Sequence, residues 1–337
     1  MTSRPLLLRR RCWRYLKEHR HLTKENGIKR EWGIFCAKIL EWFLNVLGFV
    51  LARVPHSWFV GCVRALGFVF YKLDRRRYYD AKANLDFVFP EMDHARKEAI
   101  IRRAYQNFAF IILESVRVEF LPKDIYDARF TLIDQENVLK SLKKNGQAVV
   151  MGMHFGYWEA VGTSLAQYYA QYDRGSLGRL TKFESINRLI VKHREAFGVR
   201  FINKVGAFKE LLKVYNGGKG LVGILVDQNI SPKEGVEVDF FGHKATHTTI
   251  GSILARRYNI DIVAVIIDFN EDYSHYYVTY YPPIQAPNTE DGQADILEAT
   301  QAQASLSEQI IRAHPESWFW FHRRFKSTHP EIYKRPT

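Results

Sequence analysis

Five strand-length apolar runs, most of them joined by helix-length segments, limit the folds open to this chain. They are "QAVVMGM" (147–153), "VRFI" (199–202), "GLVGILV" (220–226), "DIVAVIIDF" (261–269) and "HYYVTYY" (275–281). Runs of this length are too short for buried helices, and their rough spacing leaves room for helices such as 183–197 and 245–258. Near-continuous apolar strands joined by helices point to an α/β fold with a mixed, mostly parallel sheet flanked by helices. The last two runs are separated only by "NEDYS" and read as a hairpin.

Upstream, residues 56–145 read as a helical region. "SWFVGCVRALGFVFYKLDRRRYYDAKANLDFVF" is amphipathic with a basic end, and "PEMDHARKEAIIRRAYQNFAFIILESVRVEF" opens on Pro90 and an acidic turn that suit a helix start. Three segments follow: 1–55, 56–145 and 146–337, the last carrying the α/β core.

The charge is uneven. Residues 1–80 hold 17 Lys and Arg against 6 Asp and Glu, whereas the rest of the chain holds 32 against 30. A basic segment on a near-neutral body binds either nucleic acid or an anionic membrane surface. Its company decides. "WGIFCAKILEWFLNVLGFVLA" (32–52) approaches the roughly 20 residues of a membrane span. Lys38, Glu41 and Asn45 interrupt it on one helix face, leaving a wide apolar face with Trp42, Phe43, Leu47 and Phe49. A buried helix of a soluble domain has the same pattern. An interfacial helical anchor, with the body on the cytoplasmic face, agrees best with basic residues on both flanks. Cys12, Cys36 and Cys62 form no CxxC pair, so neither a disulfide framework nor a zinc knuckle is implied.

Candidate chemistry starts at "HFGYWE". His154 falls at the end of a predicted strand and Glu159 in the first turn of the next helix, where open α/β sheets bind ligands. A carboxylate on one imidazole nitrogen fixes the tautomer and readies the other to take a hydroxyl proton. The helix-start amides could hold an oxyanion. The same residues also fit a capping glutamate beside a core histidine. No Gly-x-Ser-x-Gly elbow is present, so direct attack by a substrate hydroxyl fits better than a covalent intermediate.

"GRLTKFESINRLIVKHREAFG" (178–198) carries Arg179, Lys182, Arg188, Lys192 and Arg194, suited to phosphate or carboxylate, or to a solvated helix face. Asp227 and Gln228 sit at another strand end, before a loop rich in Gly, His and Thr. His243 and His247 in that loop lack a carboxylate at ligand spacing, and no metal or cofactor is expected. "HPESWFWFHRRFKS" (314–327) sets four aromatics beside His322, Arg323, Arg324 and Lys326. That suits a membrane-interface or anionic glycolipid surface, or a core strand with a basic edge. No nucleic-acid-binding pattern accompanies it.

In order along the chain, "RRRYYDAKANLDFVFPEM", "HFGYWE", "GRLTKFESINRLIVKHREAFG", "VDQN…VDFFGHKATHTT" and "PESWFWFHRRFK" resemble the motifs of one family. It is the lipid A biosynthesis acyltransferases of the lauroyl/myristoyl type, in the lysophospholipid acyltransferase superfamily. The resemblance runs from about residue 40 to residue 327. It implies a bacterial inner-membrane enzyme with its active site facing the cytoplasm. The implied reaction transfers an acyl chain from acyl-carrier protein to a hydroxyacyl chain of a Kdo-bearing lipid A precursor. His154 maps to the family's base and Glu159 to its partner. Arg179, the Asp227–Gln228 pair, Arg323 and Arg324 map to motif positions expected to bind substrate. A glycophospholipid such as an inositol mannoside is the alternative acceptor, and a non-enzymatic protein binding anionic lipid through residues 1–80 is the other alternative. The family's usual Asn-Pro is Phe183-Glu184 here, a common aspartate is Asn187, and the proline before Asp-Gln is Val226. These departures bear on which acyl chain and which acceptor position are used.

Overall fold

A computed structural model of the chain describes residues 27–162, 168–179 and 198–334, together with Asn187, Val191 and Glu195. The basic segment before residue 27 and most of the basic stretch 180–197 lie outside the described residues.

Four helices come first: α1 (Gly27–Leu51), α2 (His56–Leu73), α3 (Arg75–Val88) and α4 (His94–Arg117). The long amphipathic run after residue 56 forms two helices. Asp74 ends α2 and starts α3, accepting from the Arg77 amide at 3.2 Å. The fourth helix starts at His94, not at Pro90, because Asp93 supplies the cap to the Arg96 amide at 2.9 Å. One side of α1 seats on α4, where a Cβ at Gly48 would lie 2.1 Å from the Val116 carbonyl. Its other side exposes Phe35, Ile39, Trp42, Phe43, Val46 and Val50. Among the described residues no helix is long and apolar enough to cross a membrane.

The chain continues through α5 (Lys123–Asp127), β1 (Phe130–Ile133), α6 (Glu136–Asn145), β2 (Ala148–Gly152), β3 (Asp173–Gly178) and β4 (Arg200–Asn203). Next come α7 (Ala207–Asn216), β5 (Gly220–Leu225), β6 (Gly235–Phe240), β7 (His243–Thr248) and α8 (Ile250–Tyr258). β8 (Ile262–Phe269), β9 (Tyr276–Tyr280) and α9 (Gly292–Ala313) complete it. Seven of the described strands form a sheet in the order β1-β9-β8-β2-β5-β3-β4. All pairs are parallel except β8–β9, the expected hairpin. Both faces of the central strands are covered. Val149, Met151, Val222 and Ile224 pack on one side with Leu254 and Ile310, and Ala148, Val150 and Leu221 pack on the other with Phe59 and Phe110.

The segment 235–248, expected as a loop, is instead the antiparallel β6–β7 hairpin, so the helix expected over 245–258 begins only at Ile250. Phe241 and Gly242 take φ of +55° and +74°, the left-handed pair that closes a two-residue turn with the right strand twist.

Candidate active site

Strand register builds the site. In the parallel β2–β5 pair, Gly152 lies beside Leu225, and the Val226 amide donates to the Gly152 carbonyl at 3.1 Å. His154 and Asp227 each lie two residues past that pair, so the two chains deliver them side by side at the carboxyl edge of the sheet. His154 Nδ1–H donates to Asp227 Oδ1 at 2.9 Å, and the His154 backbone N–H donates to Oδ2 at 3.0 Å. Trp318 Nε1–H reaches the same Oδ2 at 2.8 Å.

Asp227 is buried, with 3% of its surface exposed. Burial pushes its pKa up. The charge of His154 and the hydrogen bonds from His154 and Trp318 outweigh that, holding the carboxyl well below the usual carboxylate range. An ionised Asp227 keeps the proton on Nδ1 and leaves Nε2 with a lone pair. Gln228 Nε2–H donates to that nitrogen at 3.1 Å.

The turn carrying His154 is squeezed against β8. Gly156 has φ of +52°, and a Cβ there would lie 2.1 Å from the Ile267 carbonyl, so only glycine fits. The Gly156 amide donates to Ser317 O at 2.8 Å, Tyr157 to Ile267 O at 2.7 Å, and Phe319 to His154 O at 2.9 Å. The C-terminal segment therefore laces the turn in place. Its aromatics do this from inside: Trp318, Trp320 and Phe321 are buried, which corrects the expectation of an interfacial aromatic surface.

The expected site residues separate accordingly. The contact expected of Glu159 is made by Asp227. Glu159 instead accepts from Trp158 Nε1 at 3.2 Å, and the Trp158 ring lies 5.4 Å from the His154 ring. Being five residues on, at a helix start, Glu159 is carried past the imidazole edge that Asp227 fills. Asp227, expected among the substrate-binding residues, instead meets the imidazole and the Trp318 indole. Arg179 is exposed, one residue beyond β3 on the same sheet edge. Arg324 is fully buried, with its guanidinium on the Thr246 carbonyl, on His247 Nδ1 at 3.1 Å and over the Phe240 ring. Its charge is therefore held inside the fold rather than on the surface where a substrate ligand was expected. Arg323 is partly exposed and held by Asp80 at 2.9 Å. In the turn just before the helix, the amides of residues 154–157 all have partners.

Two further histidines belong to the frame. His322 Nε2 accepts from the Asn229 amide at 2.8 Å, and burial pushes its pKa down to about 4. His247 is pushed down to about 3, by burial first and then by Arg324. His243 stacks on Phe87 at 3.7 Å. Among the described residues, no group of three His, Cys, Asp or Glu could hold a metal ion.

A narrow groove starts at Trp158 and Glu159 and runs along the sheet over Gly152, Ser176 and Gly223. Gly223 pairs with Val150 on one side and Ser176 on the other, so small residues on adjacent strands clear its floor. A larger polar recess between Glu237, Lys244 and Ser327–His329 contains no residue of the His154 turn.

The sequence reading missed the role of Trp318. Its signal was an indole, a donor only, beside a strand-end aspartate needing partners.

Residues 32–327 match the sequence model of bacterial lipid A biosynthesis acyltransferases. The lipid A biosynthesis palmitoleoyltransferase of Escherichia coli K12 is 23% identical over 299 residues, 86% of this chain and 91% of that protein. The lauroyltransferase of the same organism is 25% identical over 300 residues, covering 87% and 92%. A phosphatidylinositol mannoside acyltransferase of Mycolicibacterium smegmatis is 25% identical over 223 residues, covering 65% and 70%. With a family match across most of its length, the chain belongs to the bacterial lipid A biosynthesis acyltransferases and is an acyltransferase.

Proposed function

We propose that the protein transfers an acyl chain from the thioester of acyl-carrier protein to a hydroxyacyl chain of a Kdo-bearing lipid A precursor. The observation that carries this is the Asp227–His154 pair, which presents Nε2 as a base beside a groove floored by small residues. His154 Nε2 takes the proton of the acceptor hydroxyl as its oxygen attacks the thioester carbon. The C–S bond then breaks, and the imidazolium returns the proton to the leaving sulfur. Asp227 holds the ring and stabilises its charged form. Glu159 acts through Trp158, fixing that ring between the base and the groove in which the acyl chain lies. Arg179, exposed on the same edge, takes the acceptor's anionic groups.

The protein works at the cytoplasmic face of the bacterial inner membrane. Supporting this, α1 turns Trp42 (66% exposed), Phe43 (54%) and Phe35 (56%) outward, and Arg75, Arg76 and Arg77 are exposed nearby in sequence. The same basic surface suits the acidic carrier protein. One relative's name supports a second reading, an inositol mannoside acceptor.

The test is acyl transfer by detergent-purified wild type and His154→Ala. Carrier-protein and CoA thioesters of several lengths serve as donors, and the tetra-acylated precursor or an inositol mannoside as acceptor. Wild type adds one chain, and His154→Ala loses about 10²–10⁴-fold, the range of general-base catalysis. Equal activity of both proteins would make His154 structural.

A further inference from the structure

The atom that must take the hydroxyl proton is already occupied. Gln228 donates an amide hydrogen to His154 Nε2 at 3.1 Å, where an attacking oxygen has to sit. Several neighbouring donors are spent elsewhere. The amides of His154, Phe155, Gly156 and Tyr157 are spent on Asp227, Met153, Ser317 and Ile267. The indole of Trp318 is spent on Asp227, that of Trp158 on Glu159, and the Asn229 amide on His322. Gln228 is half-buried and follows Asp227 directly, so its backbone is held beside the imidazole while its side chain is not fully enclosed.

We propose that Gln228 latches the base in the resting enzyme and, once the acceptor hydroxyl displaces it, passes its amide to the thioester oxygen. This rests on the acyl-transfer reading. The two uses succeed each other. In the resting state the amide satisfies the lone pair and confirms the Nδ1–H tautomer that Asp227 sets. When a hydroxyl takes its place at Nε2, the amide needs only a side-chain rotation to remain next to the reacting carbon. As the C–O bond forms and the hydroxyl proton moves to Nε2, the thioester carbonyl oxygen gains the negative charge that the amide then bonds. As the C–S bond breaks, the carbonyl reforms, the imidazolium proton leaves with the sulfur, and Gln228 returns.

The test uses the full chain in two independent arms. In the first, diethyl pyrocarbonate modifies neutral imidazoles without any substrate. Modification of His154 is followed by peptide mass spectrometry against exposed His94. Gln228→Met keeps the volume and removes the donor, and His154 in it is expected to react at least about five-fold faster than in wild type. An unchanged rate overturns the latch. In the second arm, kcat of Gln228→Met and of Gln228→Glu, whose carboxylate cannot donate, is expected to fall about 10²–10³-fold with little change in acceptor KM. A rise in KM with kcat preserved overturns the oxyanion role and leaves a substrate contact. Wild-type protein inert on every donor and acceptor would count against the acyl-transfer reading itself, while the modification result would still decide the latch.

Discussion

Asp227→Asn separates a charge from a hydrogen-bonding shape, and the structure dictates which way the new amide turns. Oδ2 receives two donors, the His154 amide at 3.0 Å and Trp318 Nε1 at 2.8 Å, whereas Oδ1 receives only Nδ1–H at 2.9 Å. An NH₂ at the Oδ2 position would face two donors. At the Oδ1 position it faces one ring nitrogen, which can change tautomer. The amide oxygen therefore takes the Oδ2 position, the NH₂ faces Nδ1, and the ring proton moves to Nε2. Gln228 can turn its carbonyl to meet that proton, so the wrong tautomer is well satisfied and the base is lost. Inversion of the tautomer in a His–Asp pair costs about 10⁴ in kcat, or roughly 5.5 kcal/mol. Every hydrogen bond around the residue survives, so the fold should persist with a stability change of about 1–3 kcal/mol at most. The assay is the initial rate of acyl transfer, paired with ¹⁵N spectra of the histidines to read the tautomer. If Asp227→Asn kept within tenfold of wild type while Glu159→Gln fell a hundredfold, the orienting role assigned to Asp227 would be wrong.

Other outcomes follow from the same contacts. Arg324→Ala should cost about 3–5 kcal/mol in thermal unfolding, since it opens a cavity and strands the Thr246 carbonyl and His247 Nδ1. If Arg324→Lys instead kept stability and raised only acceptor KM, the residue would be a substrate ligand. Unfolding should become easier as pH falls from about 6.5 towards 4, because unfolded His247 and His322 take up protons that the fold refuses until about 3 and 4. The stability they contribute is present above pH 6.5 and is lost at up to about 1.4 kcal/mol per pH unit for each. A melting temperature flat over that window would mean both rings are already charged in the fold. Trp42→Glu and Phe43→Glu should weaken co-sedimentation with anionic vesicles several-fold without lowering the melting temperature, as both side chains are exposed. Unchanged sedimentation would remove α1 from the membrane surface.

Strands β2, β5 and β8 were legible because burial on both faces writes a continuous apolar run. β3 was not, and its composition shows why. "DRGSLG" has low strand propensity, yet Ser176 pairs with Gly223 of β5, where bulk would close the groove, and a Cβ at Gly175 would press on Ile202 and Val222 on the other face. The β6–β7 hairpin carried a readable period of two, Val236, Val238 and Phe240 against Glu237 and Asp239. It was hidden by its polar return strand and by a Phe-Gly turn in place of the usual Asn-Gly. The buried place of Trp318, Trp320 and Arg324 was illegible for a related reason. Aromatics beside basics look alike on a surface and in a core, and only tertiary partners such as Thr246 and Asp227 tell them apart.

The place of His154 at a strand end was legible, but its carboxylate partner was not. A local reading pairs His154 with the nearest acid, Glu159, whereas the acid that reaches Nδ1 is 73 residues away. What joins His154 to Asp227 is the register of β2 against β5, set by the apolar side chains of Val149, Met151, Val222 and Ile224. A slip of one residue would turn those side chains to the opposite face and take Asp227 with them. Val226 sharpens that register where the resembled family usually has proline. Its N–H carries the ladder one bond further, to the Gly152 carbonyl, a bond proline cannot make. The pairing that packs the core therefore extends to within one residue of Asp227, so the ring is aimed by the sheet itself rather than by a loop.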